Sequence, residues 1–215
     1  PTGHGKSTTV ACMIDIINTH RKAHIITIED PIEFIHLNKK SIIEQREVGQ
    51  DTHSFASALK HVLRQAPDVV LIGEIRDLET ISIALTAAET GHLVMATLHT
   101  NDSVQTIDRL VDVFPAHQHD QIRLQISMCL KAVVAQRLIP RSDKKGQVPA
   151  VEILVNTPAV CNLIREGKTH QIYTVMETQA RTGMITMDSA IKQLYRRGLV
   201  SHEDALERLK NPKNL

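Results

Sequence analysis

Apolar positions along the chain alternate between a helical rhythm and short unbroken runs. Val10, Met13, Ile14 and Ile17 recur at helical spacing. His24–Glu29 (His-Ile-Ile-Thr-Ile-Glu) is rich in β-branched residues and predicts a strand, and Ile42–Val48 predicts a second. Phe55, Ala58, Leu59, Val62 and Leu63 mark one face of a helix that Pro67 closes. Asp68–Glu74 encloses a continuous apolar run, the pattern of a central parallel strand buried on both faces. Leu78–Thr90 predicts a helix with Ile81, Leu85 and Ala88 inward and Gly91 at its C-cap. Leu93–Leu98 predicts another buried strand. Strands and helices alternating in this way specify an α/β fold with a mainly parallel sheet.

The later part of the chain changes character. Ser103 is expected to cap a short helix containing Ile107 and Leu110, and Ile122, Ile126, Cys129, Leu130 and Val133 mark a longer one. Ala132–Ile139 and Val148–Val155, joined by the polar loop Arg141–Gly146, predict a hairpin. After Asn156 come short helices. Thr157-Pro158 is an N-cap and first-turn pair, and Gly167 stops that helix. Further helices are expected near Thr169–Gln179, Met187–Arg196 and Ser201–Leu209. The expected division is a core over residues 1–155 and a small helical subdomain over 156–215.

Composition narrows the function classes. The 215 residues carry 25 basic and 24 acidic side chains, so no large field draws the chain to nucleic acid or a membrane surface. Trp is absent and only five residues are Phe or Tyr, too few for a base-stacking platform. Neither a specific nucleic-acid partner nor direct membrane insertion is expected, because no apolar run is long enough to span a bilayer. Cys12, Cys129 and Cys161 are isolated, which fits a reducing cytoplasm and gives no metal or redox pair.

Candidate chemistry begins at the first residues. Pro1-Thr2-Gly3-His4-Gly5-Lys6-Ser7-Thr8 matches the end of a phosphate-binding loop, G-x-x-x-x-G-K-[ST], lacking only its first glycine. The chain is therefore expected to begin inside a motif, as a fragment of a longer protein. Gly3 and Gly5 let backbone N–H groups curl around a phosphate. Lys6 reaches the β- and γ-phosphates, the Ser7 hydroxyl ligates Mg²⁺, and Thr8 meets the α-phosphate. Thr2 completes the nucleotide-binding set, and His4 reads as an exposed loop residue.

Carboxylates gather at the carboxyl ends of the predicted strands, where α/β sheets bind ligands. Glu29-Asp30-Pro31-Ile32-Glu33 offers three, suited to orienting water or holding Mg²⁺, or else a solvated turn. Arg46 and Glu47 read equally as functional groups or as an exposed ion pair. Glu74, at the tip of its apolar strand, stands where a Walker B acid would hold Mg²⁺ through water. Thr97 or His99 is placed to sense the γ-phosphate.

In order, Pro1–Thr9, Ile28–Phe34, Arg46–Gly49, Leu71–Asp77 and Thr97–Asn101 resemble the Walker A, Asp box, linking strand, Walker B and His box of the secretion ATPases of type II secretion and type IV pili. Ala159–Lys168 further resembles the A-I-R-N-L-I-R-E segment of the retraction branch, the PilT twitching-motility ATPases. The resemblance implies a RecA-like P-loop core, a preceding PAS-like N-terminal domain and a hexameric ring. It implies ATP and Mg²⁺ as ligands, and Glu33 as general base. It implies Glu74 as Walker B acid, His99 as the His-box residue, and arginines from the N-terminal domain or a neighbour completing the site. The implied work is retraction of a type IV pilus, through an inner-membrane platform protein, from the cytoplasmic face. Three departures stand out: His4 where Ser is usual, Ala66 where Asp often precedes Pro67, and Cys161 where Arg is usual. The last keeps an accessory paralogue resembling PilU in view. Assembly and type II secretion ATPases usually carry a tetracysteine module that this sequence lacks. A DNA-dependent RecA-like ATPase and a ring subunit that binds ATP without hydrolysing it are the remaining alternatives.

Overall fold

The computed structural model describes residues 3–212. It comprises two compact units, Lys6–Leu98, and Pro1–Gly5 with His99–Leu215. Among the described residues no helix is long and apolar enough to cross a membrane.

In the first unit, α1 (Lys6–His20) leads to β1 (His24–Glu29), β2 (Ile42–Glu47), α2 (Phe55–Val62), β3 (Val69–Ile72), α3 (Leu78–Glu89) and β4 (Leu93–Ala96). The strands lie in the order β2-β1-β3-β4, every pair parallel. β1 and β3 are central, and Ile25, Ile26, Ile28, Val69, Val70 and Ile72 are fully buried. Such strands need apolar side chains on both faces, which explains their unbroken aliphatic runs. Ile25, Val69 and Leu71 pack with Ile14 of α1. Alternation turns Ile26, Ile28, Val70 and Ile72 the other way. α2 packs against β1, and α3 against α2.

Two details differ from the apolar pattern. β4 is half-buried rather than buried, because it is an edge of this sheet. On α3, Ile81 is buried as expected, but Thr80, Ala84 and Ala87 share its face while Leu85 and Ala88 are only half-buried. Small residues on α3, with Ala56 and Ala58 buried on α2, let the two helices pack closely.

After α2 a 3₁₀ turn, Leu63–Gln65, ends at Ala66 with φ 51° and ψ 52°. A left-handed alanine is strained by its Cβ, and Asp or Asn tolerates that region better. Ala66→Gly is expected to stabilise the protein by about 0.5–1 kcal/mol net of the entropy glycine adds to the unfolded chain. A denaturant midpoint unmoved or lowered would contradict this.

The second unit contains α4 (Ser103–Asp112), α5 (His119–Cys129), β5 (Ala132–Pro140), β6 (Gln147–Val155), α6 (Pro158–Arg165), α7 (Ile172–Thr178), α8 (Met187–Arg196) and α9 (His202–Arg208). β5 and β6 form the expected antiparallel hairpin. Its Ile139 and Ala150 share one core with Met187, Ile191, Val200 and Leu209. Ile153 and Ile185 exchange both backbone hydrogen bonds, at 2.8 and 3.0 Å. The hairpin thus packs with the C-terminal helices, within the unit that resumes at His99. α5 stops at Cys129, short of Val133. There the Asn156 amide donates to the Ser127 and Leu130 carbonyls at 3.0 and 2.9 Å. The cap of α4 is Asp102, accepting from the Gln105 N–H at 2.9 Å, and not Ser103, which is fully buried in the first turn.

Candidate functional site

Pro1 and Thr2 lie outside the described residues. Gly3 and Gly5 have φ of 77° and 76°, in the left-handed region that glycine alone adopts freely. A Cβ on Gly5 would also stand 2.8 Å from Gln136 Nε2. His4, between them, is half-buried and tied down rather than exposed. Its Nδ1 accepts from the Leu138 N–H at 3.0 Å, and its carbonyl from Gln136 Nε2 at 2.8 Å.

Lys6 opens α1, and Ser7 and Thr8 follow in its first turn, which holds no acidic residue. The first N–H groups of a helix have no partner within it and carry the positive end of its dipole. That end suits a phosphate. Burial lowers the pKa of the Lys6 ammonium, and the Glu74 charge opposes that shift.

Ser7 Oγ donates to Glu33 Oε1 at 2.8 Å. Glu33 lies in the loop after β1, which begins with a cis Asp30–Pro31 bond. β2 holds this loop in place. The Ile32 N–H donates to Glu47 Oε2 at 2.9 Å, the His36 N–H donates to Gln45 Oε1 at 2.8 Å, and Gln45 Nε2 donates to the Phe34 carbonyl at 2.9 Å. From α1, Asn18 Nδ2 donates to the Leu37 carbonyl at 2.8 Å. Glu47 is therefore a brace for the Glu33 loop, while Arg46 turns to Gln65 and Glu44.

The three carboxylates of the Glu29–Glu33 stretch separate. Glu29 accepts from Thr27 Oγ1 at 2.6 Å and Gln45 Nε2 at 3.2 Å. Asp30 lines an open groove of 370 Å³ with His53, Ser54, Arg76 and Asp77, and neither Lys6, Ser7, Glu33 nor Glu74 lines that groove. Glu33 meets the phosphate-loop motif, through Ser7.

Glu74 follows Gly73 at the tip of β3. The Gly73 N–H donates to the Ile28 carbonyl at 2.7 Å, and a Cβ there would lie 3.1 Å from Ile28 O and Glu29 Cα. Close approach to β1 therefore favours glycine at this position, since a Cβ would press on the β1 backbone. Thr97 Oγ1 donates to the Gly73 carbonyl at 2.5 Å, and the Ile75 N–H to the Thr97 carbonyl at 3.0 Å. Thr97, one of the two residues placed to sense the γ-phosphate, pins the strand tip. Arg76 forks onto both Glu74 oxygens, at 2.5 and 2.6 Å. That bond and the Glu74 charge raise the Arg76 pKa.

Arg76 is the residue whose role the motif analysis missed. The signal was the i, i+2 spacing around buried Ile75, which sends Glu74 and Arg76 the same way. His99 belongs to the second unit, where it is exposed three residues before the Asp102 cap.

The donor chemistry fits Mg²⁺. A serine hydroxyl beside one carboxylate, with another near Lys6, offers hard oxygen ligands. Among the described residues no group of three or more His, Cys, Asp or Glu could hold a metal unaided. Mg²⁺ is commonly held by one or two carboxylates together with substrate phosphates and water.

Sequence comparison bears on this arrangement. The chain is 54% identical over 215 residues to the twitching motility protein of Neisseria gonorrhoeae, covering 100% of this chain and 58% of that relative. It is 52% identical over 214 residues to the type IV pilus retractation ATPase PilT of Pseudomonas aeruginosa, covering 100% of this chain and 62% of the relative. A crystal structure of the pilus retraction motor PilT with bound ADP superposes with a TM-score of 0.92 at 52% identity, covering 100% of this chain and 61% of that one. The chain thus spans about three fifths of the length of the relatives it matches. The fold is the α/β fold, with a mainly parallel sheet, of the secretion ATPases. The type II/IV secretion system protein family matches residues 1–210, and with the fold and the ordered motifs in agreement, the chain belongs to that family.

Proposed function

We propose that this chain is the ATPase portion of a hexameric motor that hydrolyses ATP to drive type IV pilus retraction and twitching. The observation that carries this reading is the Ser7–Glu33 hydrogen bond at the start of α1. It joins the metal-ligating hydroxyl of the phosphate loop to the proposed base across 26 residues of sequence. Likeness to two proteins named for twitching and pilus retraction supports the biological assignment.

Gly3, Gly5 and the N-terminal amides of α1 cradle the phosphates in this reading. Lys6 neutralises charge on the β- and γ-phosphates. When bound, Mg²⁺ supplies Lewis-acid stabilisation of the phosphoryl oxygens, held by Ser7 and, through water, by Glu74. Glu33 accepts a proton from the water that attacks the γ-phosphorus. Arg76 holds the Glu74 carboxylate in place through both of its oxygens. His99 reports the γ-phosphate to the second unit, and arginines outside this chain complete the charge stabilisation. The ring acts on a membrane platform protein at the cytoplasmic face of the inner membrane.

Deleting the gene in its host tests the assignment. Surface pili are expected to accumulate while twitching is lost. Absence of pili would move the protein to the assembly branch. An unchanged phenotype would reject a main retraction motor and favour an accessory paralogue.

A further inference from the structure

Glu152 is a buried carboxylate that the proposed chemistry does not use. It lies within β6 and is 1% exposed. Oε1 accepts from the Ser103 N–H at 2.8 Å and from Ser103 Oγ at 2.7 Å. Oε2 accepts from the Met187 N–H at 3.2 Å. Ser103 and Met187 are the first residues of α4 and α8. One carboxylate therefore joins two helix N-termini, where the dipoles favour an anion.

Capping alone does not account for it. α4 is already capped by Asp102 and α8 by Thr186, each bonding the amide three residues on. Glu152 takes instead the first amide of each helix. A buried carboxylate is costly to desolvate, and two helices with caps of their own gain from it chiefly a fixed mutual position.

α4 also carries the segment that begins at His99. Thr100 and Thr106 hydroxyls bond at 2.7 Å, and the Asn101 N–H donates to Gln105 Oε1 at 3.4 Å. A parallel link reaches the other helix. Lys210 Nζ pairs with the Asp102 cap at 2.9 Å, and the Lys210 N–H donates to Asp188, in the first turn of α8, at 3.0 Å. The His99 segment, α4, Glu152 and α8 form one connected chain of bonds.

We propose that Glu152 is a positioning residue that couples the His99 segment to α8, so that the nucleotide state read at His99 is passed to the C-terminal helices. This rests on the role given to His99 above. Glu152→Gln in the intact protein tests it. Glutamine keeps the shape but must turn an NH₂ donor toward one of the two helix amides. A fluorescent ATP analogue is expected to bind at one per chain with affinity unchanged within about twofold, while kcat falls about tenfold at unchanged KM, the size of a typical coupling between sites. Ser103→Ala, which keeps the amide and removes the hydroxyl, is expected to lower kcat less, about threefold to fivefold. A binding stoichiometry that falls in step with kcat would show mere loss of folded protein and overturn the proposal. So would an unchanged kcat. If Glu152→Gln does not fold, the same two readouts on Ser103→Ala decide. A Lys6→Ala control separates the premises. Turnover in that control would overturn the ATPase reading itself, whereas an inert control beside an unaffected Glu152→Gln would overturn only the coupling.

Discussion

Lys6→Ala is expected to reduce ATP turnover by a thousandfold or more, on the order of the effect of removing a preorganised charge from a phosphoryl-transfer site. Lys6 stands at the positive end of α1, and burial already disfavours its ammonium. An incoming polyphosphate relieves that burden, so the interaction strengthens as negative charge develops on the leaving oxygens. Without Lys6, the Glu74 carboxylate, held in place by Arg76, confronts the phosphates with like charge. Nucleotide affinity should fall as well as kcat. Phosphate release measured beside nucleotide binding and a folding control checks this. Turnover within tenfold of the unaltered protein would remove the phosphate loop from the account.

The second large effect is expected at Glu33. Glu33→Gln keeps the length of the side chain and an oxygen able to accept from Ser7, but it removes the proton acceptor. Nucleotide binding should persist while kcat drops by about 10²–10³-fold, within the range for losing a general base. A glutamate that merely orients Ser7 would tolerate the change. The discriminating result is therefore kcat: a loss below about threefold would make Glu33 a brace for Ser7 and place the base elsewhere.

Much of the candidate site's local geometry was legible because it depends on residue type. Gly3, Gly5, Lys6 and Ser7 are close in sequence, and their backbone and helix-start geometry follow from residue type. β1 and β3 were legible because strands buried on both faces show unbroken aliphatic runs. Long-range choices were not legible. Nothing local distinguishes Glu29, Asp30 and Glu33; Thr27 and Gln45 take the first and Ser7 the third. Arg46-Glu47 read equally as functional groups or as an exposed ion pair, and Glu47 in fact braces a backbone amide 15 residues away. The packing of the hairpin was not legible because it carries no label for its partner, which is the C-terminal helices. Ser103 was read as a cap because serine is a common one, but the aspartate beside it took that role and left Ser103 to Glu152.

Steady-state phosphate release from Mg–ATP by the intact protein, run beside Lys6→Ala, tests the central claim most directly. The account predicts saturable, Mg²⁺-dependent turnover that is lost in the variant. Stoichiometric nucleotide binding with no phosphate release by the unaltered protein would contradict it, and would make the chain a nucleotide-binding subunit rather than a motor.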